Sequence, residues 1–223
     1  MTSSTAWEEQ ALTTTMNNTS DLSLKNNKLS SPACIQVPSV AGPVLSLGDS
    51  RILNGQKLAI FCSVKCPGNP IVQAYDFART LRDRGTTVIG GFQSPIEKDC
   101  LELLLRGSQP VIICPARSLD GVRLPAMWKT AIQQRRLLLL SSFDKSIRRP
   151  TAELSEKRNE FIATLADQVL FIYANPGGKT EALARKVISW GKPVLTLNTR
   201  DNANLVALGA KVTTAEEVSR EIK

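Results

Sequence analysis

No histidine occurs among the 223 residues of the chain. That removes the side chain that most often serves as general base near neutral pH. The Ser-His-Asp and Cys-His nucleophile pairs and most zinc sites go with it. Cysteines are few, five in all. Cys62 and Cys66 are four apart, and no second pair stands at metal-ligand spacing, which argues against a zinc module. Cys62, Cys100 and Cys114 lie in or beside apolar segments, where cysteine acts as a small buried hydrophobe. This usage points to a reducing, cytoplasmic setting. Long apolar runs are missing too. The longest, residues 137–140 and 169–173, have the length of strands and fall far short of the ~20 residues that cross a bilayer. The N-terminus has no basic start followed by an apolar core, so neither a secretory signal nor a membrane partner is expected.

What remains is a chain with 42% hydrophobic residues and a net charge of +8, from 28 basic and 20 acidic side chains. The length suits one substantial α/β domain plus a tail. The basic surface favours polyanions. Its charge is spread along the chain, with tight clusters only at Arg135–Arg136 and Arg148–Arg149. Sequence alone does not decide whether these clusters form a track for a polyanion or sit on solvated ends.

The most informative stretch is residues 167–186. Val169, Leu170, Phe171, Ile172 and Tyr173 form an apolar run without alternation, as in a strand buried on both faces of a parallel sheet. Asn175, Pro176, Gly177 and Gly178 break the chain. Residues 180–189 then read as a helix with Leu183, Val187 and Ile188 on its apolar face. A strand, a glycine turn and a helix N-terminus in succession make an anion site, because the free N–H groups of the first turn and the helix dipole favour negative charge. Lys179 and the Thr180 hydroxyl add a cation and a donor. A P-loop would need a glycine five residues before Gly178, where Tyr173 stands, so a Walker ATPase is excluded.

Residues 1–31 are rich in Ser, Thr and Asn and predict a loose tail, with a weak amphipathic segment around residues 6–12. Residues 32–54 carry Pro38, Gly42, Pro43 and Gly48 and read as a strap. We therefore expect a tail and strap over residues 1–42 and a domain over residues 43–223. Within the domain, strands are predicted at 57–62, 86–89, 110–114, 137–140, 169–173, 193–197 and 211–213. Helices are predicted from 69 or 70 to about 84, and over 95–105, 124–132, 153–166, 180–189, 202–208 and from about 214 to 222. Pro95 suits a first helical turn. Leu124, Met127, Trp128, Ala131 and Ile132 have the spacing of a helix face that packs on a core. Such alternation implies right-handed βαβ units: an α/β, Rossmann-like fold, a mostly parallel sheet with helices on both faces. Ligands then bind beyond the carboxyl ends of the strands, where the turns 63–65, 90–94 and 175–180 converge.

Several motifs resemble those of the DNA-processing protein DprA (Smf) family, whose Rossmann-like domain is related to LOG-type nucleotide hydrolases. The resemblance runs from about Pro43 to Lys223. PVLSLGDSRILNGQKLAIFCSVK is similar to the family's opening segment, and TTVIGGFQSPIEKDC stands in the place of its Ser-Gly-x-Ala-Arg-Gly-Ile-Asp motif. EKRNEFIATLAD resembles its Arg-Asn-Arg-Ile-Ile-Ala-Gly-Leu-Ser segment, GGKTEALARKVISWGKPVLTL its glycine turn, helix and strand, and NLVALGAKVTTAEEVSREI its closing stretch. The chain departs from the pattern at several positions. Cys62 and Val64 replace the first-turn Gly and Arg. Ser94, Pro95 and Glu97 replace the Arg, Gly and Asp of the second motif, and Glu160 replaces the second Arg of the third. The resemblance ends at the last residue, so the winged-helix domain usual in the family is expected to be absent.

The resemblance implies a non-catalytic protein that binds single-stranded DNA, forms homodimers and acts with RecA in recombination and natural transformation. No catalytic residue, metal or cofactor is expected. Phosphates would lie over the strand-end turns, contacted by Ser63, Lys65, Gly91, Ser94, Arg158, Asn159, Gly177, Gly178, Lys179 and Thr180. Aromatics make up only 5% of the chain, so base stacking would be limited. Arg158 also has a purely structural reading, as a surface partner of Glu153 or Glu156, or of Glu160 at a poorer spacing. Two further readings use the same fold: a sensor module for a small nucleotide, and a LOG-type nucleotide phosphoribohydrolase with Glu97 or Glu181 as pocket carboxylate. Both glutamates equally suit helix N-termini, where the dipole stabilises them.

Overall fold

The computed structural model describes residues 31–221. The tail expected over residues 1–30, with the segment around residues 6–12, lies outside the described residues, as does the expected end of the last helix at Ile222.

The sheet begins earlier than the expected domain start at Pro43. Strand β1 (Ala33–Ile35) pairs antiparallel with β2 (Val44–Gly48), and β2 pairs antiparallel with β6 (Leu137–Ser141). The residues read as a strap thus add two strands to one side of the sheet. Their Pro and Gly turn signals outweighed a short strand pattern. Gly48 has φ near 119°, and a Cβ there would strike the Leu137 carbonyl, so glycine is what allows β2 to reach β6.

Five further strands precede or follow: β3 (Lys57–Cys62), β4 (Thr87–Gly90), β5 (Val111–Ile113), β7 (Gln168–Tyr173) and β8 (Val194–Leu197), with β9 (Lys211–Thr213) at the far edge. The order is β1-β2-β6-β5-β4-β3-β7-β8-β9, and β3 to β9 are mutually parallel. Their apolar runs lack alternation because both faces are covered. Leu58, Ile89, Ile112, Leu138, Val169 and Phe171 are fully buried, and Phe61 stacks on Phe171 with ring centroids 5.5 Å apart.

Helices α1 (Gly68–Leu81), α2 (Pro95–Leu105), α3 (Ala126–Gln133), α4 (Ala152–Leu165), α5 (Lys179–Ser189), α6 (Ala203–Ala207) and α7 (Ala215–Glu221) connect or follow the strands. The chain winds outward from β3 through α1, α2 and α3 to β6. It returns through α4 to β7, beside β3, and winds the other way through α5. Helix α1 contacts α2 and α7, whereas α4 contacts α5, as two layers over a doubly wound sheet require. Helix α2 starts where Pro95 predicts. Ser94 accepts from the Glu97 N–H at 3.3 Å, and the Glu97 side chain reaches back, a complete capping box.

Two details differ from the sequence reading. On α1 the buried residues are Pro70, Ala74, Phe77, Ala78 and Leu81, while Ile71 and Tyr75 are only half-buried. On α3 only Ala131 is buried, and Met127 is 44% exposed. Helix α3 is short and packs on β6 and α2, so the apolar spacing exceeds the surface available to cover it.

Candidate functional site

Strands β3 and β7 are parallel neighbours whose following helices leave in opposite directions. This is a topological switch point, and open α/β sheets bind ligands beyond the carboxyl ends of the strands at such a point. Three turns meet there, and named hydrogen bonds hold them.

The first turn is tied to the third. The Ser63 N–H donates to the Tyr173 carbonyl at 2.9 Å, and the Asn175 N–H donates to the Ser63 hydroxyl at 3.0 Å. Ser63 is buried in this role, whereas Lys65 is exposed. The second turn is tied to the first by Glu97, which is 6% exposed. Its Oε1 accepts the Cys62 N–H at 2.8 Å, and its Oε2 accepts those of Gln93 at 2.9 Å and Ser94 at 3.4 Å. Burial raises the Glu97 pKa, against the opposing pull of these bonds and of the Arg158 charge. Ser94 is buried and used as the α2 cap.

Arg158 lies beneath the second turn and is 3% exposed. Its Nη1 donates to the Cys114 carbonyl at 3.2 Å and its Nε to the Asn159 side chain at 2.8 Å. A Cβ on Gly91 would fall on the guanidinium, so glycine is required there for space. Burial lowers the Arg158 pKa, and the Glu97 carboxylate opposes the shift. The surface reading of Arg158 is thereby corrected. Glu153 pairs with Lys157 at 2.7 Å and Glu156 with Lys179 at 2.6 Å, and Arg158 points into the protein instead.

The third turn is held by Glu181. Gly177, with φ near 70°, donates its N–H to Glu181 Oε2 at 3.2 Å, and the Gly178 N–H donates to the Asn175 carbonyl at 2.9 Å. Asn204 donates to the same Oε2 at 2.7 Å and Arg185 to Oε1 at 2.7 Å. The Asn204 and Arg185 bonds hold the carboxyl below its usual value in spite of burial. Gly177 and Gly178 are thus committed to the turn itself. What the turn offers outward is the start of α5, whose N-cap Gly178 supplies no side-chain cap. The free backbone donors of the first turn of α5, at Lys179 and Thr180, are the kind of group that favours an anion, and Lys65 is exposed on the neighbouring turn. The Lys179 side chain is already paired to Glu156. Asn204 was not legible, because it acts across 23 residues with no motif around it. Glu97 read only as a helix N-terminal residue or a pocket carboxylate, and the Ser94-x-x-Glu spacing is the signal that marks its capping role.

The opposite edge of the sheet carries a cleft of about 510 Å³ between residues 35–39, 50–57 and 164–167. Its lysines are occupied: Lys57 pairs with Asp167 at 3.0 Å, and Lys192 donates to the Thr164 and Ala166 carbonyls at 2.7 and 2.6 Å. Among the described residues no three His, Cys, Asp or Glu side chains are placed to hold a metal, and no helix is long and apolar enough to cross a membrane.

The family model described as DNA recombination-mediator protein A matches residues 32–223. Among solved structures, DNA processing protein A from Helicobacter pylori, described for its single-stranded DNA binding mode, superposes with a TM-score of 0.69 at 18% identity, covering 85% of this chain and 94% of that one. DNA processing protein A from Streptococcus pneumoniae gives 0.67 at 18% identity, over 81% of this chain and 66% of that one. The molybdenum cofactor binding protein from Rippkaea orientalis gives 0.52 at 12% identity, over 75% of this chain and 95% of that one. At such identities the likeness is one of fold. No curated protein sequence matches. With its model matched over all but the first 31 residues, the chain belongs to the DNA recombination-mediator protein A family.

Proposed function

We propose that the chain is a single-stranded DNA-binding recombination mediator that acts without catalysing a reaction, as a homodimer, with RecA as protein partner. The family supports the role, and the resemblance supplies the dimer and RecA. The observation that supports the binding reading is the switch point between β3 and β7, where the turn that ends in an uncapped helix N-terminus is hydrogen-bonded to the turn that precedes the exposed Lys65. Backbone donors and lysines bind phosphates without reading bases, which suits a single strand of any sequence. Of the ten residues expected at the site, we assign Lys65, Lys179 and Thr180 to the ligand. Ser63, Gly91, Ser94, Arg158, Asn159, Gly177 and Gly178 shape the turns that present them. The phosphoribohydrolase reading is disfavoured by Glu97 and Glu181, whose oxygens are engaged by backbone and side-chain donors.

Fluorescence anisotropy with labelled oligo-dT and an equal-length duplex across a salt series tests this. The single strand is expected to bind more tightly, with a log-log salt slope of ~0.7 per phosphate contact. Lys65→Ala/Lys179→Ala should weaken it and flatten that slope by up to ~1.4. Absence of single-strand binding at ~0.15 M salt would overturn the reading. A nucleotide that then raises the melting temperature would favour the sensor module instead.

A further inference from the structure

The two arginine pairs that the sequence leaves undecided are separated by the fold. Arg136 follows α3 at the amino end of β6 and donates to the Leu105 carbonyl at 2.6 Å, so its charge is spent on closing that edge. Arg148 and Arg149 follow β6 at the carboxyl end, on the same side of the sheet as the β3–β7 switch point.

The loop bearing Arg148 and Arg149 is joined to the loop that follows β5. The Ser118 N–H donates to the Ile147 carbonyl at 2.8 Å, and the Ser141 hydroxyl donates to the Arg117 carbonyl at 2.8 Å. Arg117 and Arg148 therefore flank one hydrogen bond. Leu119, fully buried, pins the first loop to the core. The two loops carry five basic residues, Arg117, Arg123, Lys145, Arg148 and Arg149, against Asp120 and Asp144. All five but the half-buried Arg117 are exposed, and among the described residues none of the five forms an ion pair. Asp144 accepts from the Ser146 N–H at 2.9 Å, within its own turn. The contrast with the other side of the switch point is plain. There Lys157, Lys179, Arg185 and Lys186 are each paired with a glutamate. Among the described residues, unpaired cations on the carboxyl edge are thus most concentrated on these two loops, with Lys65 and Arg200 exposed and unpaired after β3 and β8.

We propose that these two linked loops continue the single-strand path: DNA seated at the β3–β7 switch point runs across the carboxyl ends of β4 and β5 to phosphate contacts at Arg117, Arg148 and Arg149. This rests on the switch-point reading and extends it. Loops two and three strands away from β3 lie about 10–14 Å off at ~4.8 Å per strand, so a longer strand reaches them and a very short one does not. The contacts are to phosphate, so they add affinity and salt dependence without base preference.

The test compares oligo-dT of about 4 and about 16 nucleotides, the range of single-strand site sizes, on the wild-type chain and on Arg148→Ala/Arg149→Ala. The double variant is expected to lose most of the gain in affinity from the longer oligonucleotide and to flatten its salt slope by ~1.4, two phosphates at ~0.7 each. Binding of the shorter one stays within about twofold, since no contact to it is removed. Arg148→Lys/Arg149→Lys keeps the charge and restores the slope. An unchanged slope on the longer oligonucleotide overturns the track while leaving the switch-point reading intact. Loss of duplex binding alone overturns it too. Failure of the wild-type chain to bind either length overturns both.

Discussion

Replacing Glu97 with alanine is expected to destabilise the folded chain by several kcal/mol, at about 1–3 kcal/mol for each buried donor left unsatisfied. The carboxylate accepts three backbone N–H groups, from Cys62, Gln93 and Ser94, and faces the buried Arg158 charge. Alanine leaves those donors orphaned and Arg158 uncompensated. Glu97→Gln keeps one acceptor and should cost less. It also changes the pH response. The folded-state pKa of Glu97 lies above its ordinary 4.5, so the folded state holds this proton more tightly than the unfolded state does. The contribution is therefore largest below that ordinary value and is lost as pH rises through the raised one. In denaturant melts between about pH 4 and pH 8, Glu97→Gln should remove this decline. A loss below ~1 kcal/mol in Glu97→Ala would contradict the role given to the carboxylate.

Gly91→Ala is expected to cost about 2–4 kcal/mol, within the range for overpacking together with a broken buried hydrogen bond. The backbone at Gly91 is not in the left-handed region, so conformational strain plays no part. The added methyl would occupy the position of the Arg158 guanidinium, and Arg158 would have to leave the Cys114 carbonyl. The two residues should then be coupled. Arg158→Ala in the Gly91→Ala background should cost less than it does alone, with an interaction of ~1–3 kcal/mol in the double-mutant cycle. Additive effects would show that the turn and the arginine are independent.

Both predictions turn on groups that the sequence displayed without revealing their use. The strand–turn–helix at residues 168–189 was legible because an unalternating apolar run, two glycines and an amphipathic helix each point the same way. The start of α2 was legible from Pro95, although its Ser94–Glu97 capping box was not read. Strand β1 was not, because three residues of sheet among prolines and glycines carry no period. Arg158 read as a ligand cation because the Arg158–Asn159 pair keeps the position of the family motif it resembles. Its burial depends on a carbonyl 44 residues away and on the space left by Gly91, neither of which has a local pattern. Lys179 likewise gave no sign that Glu156, on another helix, would pair with it. Local chemistry marked where the turns lie. Long-range contacts decide which of their groups are buried in the turns and which stay exposed.

Amide hydrogen exchange with and without bound oligo-dT tests the central claim most directly, because it reports where the strand lies on the chain that carries it. The account predicts slowed exchange at residues 63–66 and 178–181, with the β4 turn at 91–94 joining them. Protection confined to residues 53–57 and 164–167, on the opposite edge of the sheet, would contradict it.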